Sequence, residues 1–314
     1  MPKAMKLDKV PVLRAIDSNT LVFSDYARGS TPSTWVADLT TGTVKGVFPN
    51  GQLLDLSADG TKMLITTPPR KTLSSTWDPV TLRTFYLCDS RTGHIEGHLE
   101  VADPARAVFL NDGRVAVTSV TSVAVWDGKS SPDFNESSIP NAGTWHLTAV
   151  GANVVVTGGM NYLLDPATGK SIEGGWFGSR PVTSLDGSTF VTYARRPGTF
   201  MGISSFVLQS RDASTGQVLL EGATSQVGAR AAMPIYAWIT PGVLIARFQR
   251  FSLDQPVGWS PAVRDFVLAA SLQPFGSGTD GYFSDDSTLI AGNGVLLVLD
   301  GDAVTVMTVG ETTN

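Results

Sequence analysis

Cysteine, histidine and charge are all scarce in this chain. One cysteine, Cys88, stands among 314 residues, which excludes an internal disulfide and any zinc site built on cysteines. Its neighbours read as an apolar strand, where a free cysteine serves as a small buried hydrophobe. Of the three histidines, His94 and His98 lie four apart. On a helix that spacing would suit a metal pair. On the strand expected here it separates them by roughly 13 Å, too far to share one ion. No apolar run approaches the roughly 18 residues of a spanning helix, so no membrane contact is expected. The opening MPKAMKLDKVPVL carries lysines but neither an apolar core nor a small-residue cleavage site, and a cytoplasmic protein is expected. Charged residues make up 16% of the chain, with a net charge of −5 and a pI near 5.2, which argues against nucleic acid as a partner. No P-loop, nucleophile elbow or metalloprotease helix is present. Gly276 to Gly281 spells G-x-G-x-x-G, but hairpin signals follow it instead of a helix, so no cofactor is expected.

Glycine and turn residues, by contrast, are plentiful and ordered. One series of turn signals falls between short apolar runs: Asp17-Ser18-Asn19, Asp59-Gly60, Asp112-Gly113, Ala152-Asn153, Asp186-Gly187, Pro241-Gly242 and Asp285-Asp286. Such residues tolerate positive φ or bond their own backbone, as a tight hairpin requires. A second series, one strand further on, runs Thr41-Gly42, Thr92-Gly93, Asp127-Gly128, Thr168-Gly169, Thr215-Gly216 and Asp300-Gly301. The stretch TFYLCDSRTGHIEGHL, from Thr84 to Leu99, shows the unit most plainly: apolar run, aspartate, turn, alternating run. A period of about 45 residues matches four short strands per repeat. Pro234 inside Ala229 to Ile239 favours strand or loop over helix. The segment from Asp265 to Leu272 is ambiguous.

The whole chain resembles a seven-bladed β-propeller of the WD40-like and quinoprotein-like type, with D-x-x-T-G or D-G turns between third and fourth strands. Trp126-Asp127 reproduces the WD dipeptide at a strand end, but the dipeptide does not recur from repeat to repeat, so no particular family within the superfold is indicated. The resemblance implies an all-β, single-domain protein of four-stranded antiparallel blades, at roughly 10–49, 50–102, 103–141, 142–178, 179–224, 225–275 and 276–314. Each blade is expected to be one contiguous piece, with the last strand near Ala303 to Val309 outermost. The ring would close by side-chain packing, with Met5 to Val10 as a possible extra edge strand.

In a propeller, the connections between second and third strands all emerge on one face, where ligands dock. Four of them read as long: Ser24 to Thr34, Thr66 to Thr84, Tyr193 to Ser205 and Ala246 to Asp265. These hold nine basic residues against four acidic ones, a net of +5 on a chain that is otherwise at −10. Eight of the nine are arginine, whose planar fork suits a carboxylate or phosphate. Aromatic residues collect in the same segments. Long loops also need apolar residues to hold themselves down, and surface arginines are commonly just solvated. The candidate ligand-binding residues are Arg28, Arg70, Trp77, Arg195, Arg196, Arg247, Arg250 and Trp259, with His146 and Tyr193 as candidate proton-transfer groups. Two functions fit. One is a pocket for a small, partly apolar organic anion, with metal-free, cofactor-independent cyclase, lyase or isomerase chemistry. The other is a scaffold gripping an acidic peptide or protein on the same face.

Overall fold

Runs such as VLRAID, KMLIT and NVVVT are too short and too β-branched for helices, and aspartate, proline or glycine lies at or just beyond the end of each. In the computed structural model they are strands. The described residues are all except 1–2, 7–11, 26–31, 74–78, 159, 177–180, 185, 197–204, 222–230, 241–242, 251–261, 270–287, 293–294, 301–302 and 309–314.

The chain opens with β1 (Lys3–Lys6). A first sheet follows, made of β2 (Val12–Asp17), β3 (Thr20–Asp25), β4 (Ser33–Asp38) and β5 (Thr43–Phe48). The second holds β6 (Gln52–Leu56), β7 (Lys62–Thr66), β8 (Arg70–Leu73), β9 (Pro79–Asp89) and β10 (Ile95–Ala102), in the order β6-β7-β9-β10, with β8 paired to the projecting part of β9. The third is β11 (Arg106–Phe109), β12 (Val115–Thr118), β13 (Ser122–Trp126) and β14 (Asn135–Glu136). The fourth is β15 (His146–Val150), β16 (Asn153–Thr157), β17 (Asn161–Leu164) and β18 (Ser171–Trp176). The fifth is β19 (Val182–Thr183), β20 (Thr189–Arg196), β21 (Ser205–Asp212) and β22 (Val218–Glu221). The sixth shows β23 (Ala231–Thr240), β24 (Val243–Arg250) and β25 (Ala262–Ala269). The last joins β26 (Thr288–Gly292), β27 (Val295–Asp300) and β28 (Ala303–Thr308) to β1. The only helical element among the described residues is a 3₁₀ turn at Ala142–Thr144.

The innermost strands pack in a closed ring: β2 on β6, β6 on β11, then β15, β19, β23, β26 and back to β2. A closed ring of separate antiparallel sheets, each stepping outward from a common axis, is a β-propeller. The core lies between the sheets. Ile16, Val22, Leu53, Met63, Ile65 and Cys88 fill the first gap, and Leu64, Phe85, Leu87, Val115, Val117 and Trp126 the second. Second strands are buried on both faces, as in Val115–Thr118, whereas outer strands such as Val218–Glu221 are exposed throughout. That gradient is why inner strands read as unbroken apolar runs and outer ones do not.

Three expectations change. The last sheet is not contiguous, because β28 pairs antiparallel with β1, Lys3 opposite Val306 and Lys6 opposite Ala303. The chain's two ends therefore share one sheet, and Ala303–Thr308 is followed outward by Lys3–Lys6 instead of being outermost. Backbone hydrogen bonds join the ends there, and side-chain packing alone does not have to. Second, the ambiguous segment near Asp265 is β25, paired with β24. Third, the Pro234 region, expected as strand or loop, is strand β23, and the ladder slips between Ala232 and Ile235, the kind of irregularity that accommodates a residue without an N–H.

Candidate functional site

Each sheet has a turn end and a mouth end. First-to-second and third-to-fourth turns gather at the turn end. Second-to-third connections and the crossings to the next sheet gather at the mouth.

The turn end is locally determined. Asp89 Oδ1 accepts from the amides of Arg91 and Thr92 at 3.1 and 2.8 Å, and Asp212 Oδ1 does the same with Ser214 and Thr215 at 2.9 and 2.8 Å. The Thr92 hydroxyl and then these amides hold the Asp89 carboxyl below the usual range, and the Ser214 hydroxyl and then the amides hold that of Asp212 at about 2. Gly93 closes its turn at φ +74°, a conformation glycine adopts freely. It also packs so closely on the Val47 carbonyl of the preceding sheet that a methyl would collide. A cleft of about 330 Å³ opens here beside Asp59, Lys62 and Asp112. Its charges are already engaged: Asp59 with Ser57 and Thr61, Lys62 with Glu96, Asp112 with Arg114. At the same end the first-to-second turns crowd together. Asn111 N donates to Gly151 O at 3.2 Å, and the Asn111 side chain leaves no room for a methyl on Gly187.

The mouth end is built from longer pieces. The described parts of the segments that read as loops are largely strand extensions. Within 66–84, β8 pairs β9, Arg70 opposite Leu82. On β20 and β21, pairing continues to Arg195 opposite Phe206 and Arg196 opposite Ser205. On β24 and β25 it runs through Arg247 opposite Asp265 to Arg250 opposite Ala262. Two prolines, Pro68 and Pro69, made the first segment look irregular, while Pro79 opens β9 at the one strand position where its missing N–H costs nothing.

The candidate residues distribute as follows. Arg70 is exposed on β8 and pairs with Glu100 of β10 at 2.5 Å. His146 opens β15 at the mouth, with its side chain exposed. Tyr193, Arg195 and Arg196 lie on β20, and Arg247 and Arg250 on β24, at backbone positions whose side chains fall outside the described residues. Arg28, Trp77 and Trp259 also fall outside them. His94 immediately precedes β10, and His98 lies on it beside Tyr86, with ring centroids 6.3 Å apart. Among the described residues no group of three or more histidine, cysteine, aspartate or glutamate side chains could hold a metal ion.

The structure adds charged groups on the innermost strands. Arg83 Nε donates to Asp103 Oδ1 at 2.5 Å across the crossing from the second sheet to the third. Arg106, the first residue of β11, lies near both, and burial followed by the Arg83 charge lowers its pKa. Deeper, Asp55 of β6 accepts from the Phe109 amide at 3.1 Å, tying the second sheet to the third. Burial pushes its carboxyl above the usual range, against the opposing pull of Arg14 on β2. The sequence carried a signal for this group. Arg14, Asp55 and Arg106 are charges inside or opening the innermost strand of three successive repeats, where the line of contact is the axis itself.

No protein family and no curated protein matches the chain by sequence. Solved structures do match by fold. The uncharacterized protein lmo1340 of Listeria monocytogenes EGD-e aligns at 9% identity and TM-score 0.60, covering 93% of this chain and 89% of its own. The computationally designed Ika8 protein aligns at 14% identity and TM-score 0.57, covering 96% and 84%. The acylaminoacyl peptidase of Pyrococcus horikoshii aligns at 12% identity and TM-score 0.54, covering 92% of this chain but only 49% of the peptidase. Identities this low convey a shared fold and no activity. In the described residues no helix is long and apolar enough to cross a membrane.

Proposed function

We propose that this is a single seven-bladed propeller domain whose mouth binds a small organic anion with substantial apolar surface. The observation that carries the reading is the segregation of charge. Nine basic residues against four acidic ones fall in the four long mouth segments of a chain that is otherwise acidic. A mouth of that sign raises the local concentration of anions, and arginine forks orient a carboxylate while aromatic side chains take the apolar part. The crowding of the turns around Asn111 narrows the opposite end, which favours entry from the mouth. In the catalytic form of the proposal, Arg195, Arg196 and Arg247 hold the carboxylate or an enolate, and His146 or Tyr193 moves a proton without metal or cofactor, as a cyclase, lyase or isomerase requires. A cytoplasmic location belongs to the same proposal.

The test is binding of benzoate, phenylacetate and cinnamate, followed by calorimetry, to the protein and to the Arg195→Ala, Arg196→Ala, Arg247→Ala triple variant. Affinity should fall at least tenfold while the thermal midpoint moves by no more than about 2 °C. Unfolding of the variant overturns the reading, because the arginines are then structural. Capture of an acidic peptide at the same face, with no carboxylate bound, would favour the scaffold reading instead.

A further inference from the structure

A hydroxyl recurs at the mouth end of the second strand in successive sheets: Ser24, Thr66, Thr118 and Thr157, all buried. In the first two sheets it is matched. Ser24 Oγ lies 3.1 Å from Thr34 Oγ1 and accepts from the Leu53 amide at 2.6 Å, and Thr66 Oγ1 donates to Thr84 O at 3.1 Å. In the third and fourth sheets it is not. Thr118 Oγ1 and Thr157 Oγ1 are buried without a hydrogen-bond partner, at residues 0% and 8% exposed. Buried hydroxyls are normally matched, so two equivalent exceptions in neighbouring sheets call for an explanation.

Their strand partners differ in the same way. Opposite Ser24 and Thr66 stand the uncharged Val12 and Gln52, whereas opposite Thr118 stands Arg106 and opposite Thr157 stands His146. Directly opposed residues of an antiparallel pair share one face of the sheet, with Cβ atoms about 5 Å apart. Each unmatched hydroxyl thus sits beside a basic side chain that opens the innermost strand. Arg106 Nη1 donates to the Ala105 carbonyl at 2.9 Å, and with Arg83 and Asp103 it makes a trio of two cations and one anion. The connections after β12 and β16 are three residues each, so these two neighbouring sheets lack the strand extensions that β8 and β9 add to the second sheet.

We infer that the rim of the third and fourth sheets is the polar subsite of the mouth, where a carboxylate docks on Arg106 and His146. The Thr118 and Thr157 hydroxyls lie just beneath and donate to it through ordered water. The inference rests on the anion-binding reading above but moves the anion's anchor away from the long hairpins.

The probe is citrate, which offers carboxylates and no ring, with inorganic phosphate run in parallel. In the Thr118→Val, Thr157→Val double variant a methyl replaces each hydroxyl at nearly constant shape. The free protein loses no hydrogen bond, so its thermal midpoint should hold or rise while citrate affinity falls at least fivefold. Arg106→Gln should weaken citrate at least tenfold, and Arg114→Gln, at the turn end, should leave it unchanged. The inference is overturned if citrate does not bind at millimolar concentration, or if the double variant binds it normally. It is also overturned if phosphate binds more tightly than citrate and neither Arg106→Gln nor the double variant affects it. Failure of the wider proposal looks different. There the arginine triple variant keeps its affinity for cinnamate, while citrate still responds to Arg106→Gln.

Discussion

The two ends of the propeller are made on different principles. At the turn end each aspartate satisfies its own backbone within three residues, and the chain is short and repetitive. At the mouth the hairpins vary in length from sheet to sheet, charges reach across crossings, and two hydroxyls go unmatched. Local chemistry fixes the first end. The second is free to differ between repeats.

The strongest way to sharpen this contrast is at Gly93. Gly93→Ala adds strain at positive φ and a collision with the Val47 carbonyl, so it should lower stability by about 3 kcal/mol or more in urea unfolding. Gly42→Ala shares the turn and a φ of +71°, but no atom lies within 4 Å of the added methyl, so only the strain of about 1 kcal/mol remains. Equal losses at the two positions would show that contact between sheets contributes nothing there.

Next in size is Asp55. Asp55→Ala leaves the Phe109 amide without its partner and should cost about 1–3 kcal/mol, whereas Asp55→Asn keeps an acceptor and should cost less. The sign with pH is definite. The folded pKa is raised, so the folded state holds this proton more tightly than the unfolded chain does. Its contribution is fully favourable below the unfolded value near 3.8 and declines as pH rises through the folded value. Asp55→Asn should remove that decline, which unfolding measured between pH 4 and 7 would reveal.

The turn aspartates carry the opposite sign. Asp89 and Asp212 are depressed, so their contribution is present above about 3.8 and lost as pH falls toward 2. Replacing both with asparagine should lower stability at neutral pH and leave it almost unmoved near pH 2, so that the acid limb of the curve flattens. A curve whose acid limb is unchanged would mean other carboxylates dominate.

Smallest of all is Cys88. It is fully buried between the first two sheets, and burial, then Glu96 and Asp89, pushes its thiol up to about 12. A thiol reagent at pH 8 should not react with the folded protein and should react once in urea. Rapid labelling under native conditions would show that the gap between these sheets opens.

The two ends were also unequally legible in the sequence. Asp89 through Gly93 announces its turn because aspartate, threonine and glycine each act within the motif, and the apolar runs beside it follow from burial on both faces. The closing strand announced itself only in part: an edge strand was expected over Met5 to Val10, whereas β1 is Lys3–Lys6 and residues 7–11 lie outside the described residues. KAMK is four residues long, half lysine, and pairs with a partner at the far end of the chain, so no local pattern marks it. Asp55 and Arg106 hid because a charge in a strand reads as solvent-facing until the ring shows that the strand is innermost. The basic character of the mouth was visible in composition alone. The unmatched hydroxyls were not, since Thr66 and Thr118 look identical in sequence and differ only in whether a carbonyl such as Thr84 O of the adjoining strand accepts from them.

The pairing of β1 with β28 also sets an order of events in time. During synthesis β1 leaves the ribosome first and its partner last, so the ring stays open while nearly the whole chain is made. At 5–20 residues per second that interval is on the order of 15–60 s. Throughout it the first sheet presents an uncovered flank that its neighbour in the finished ring will later shield. Destabilising β1 would lengthen the exposure and should raise aggregation during expression more than it lowers the stability of the completed protein.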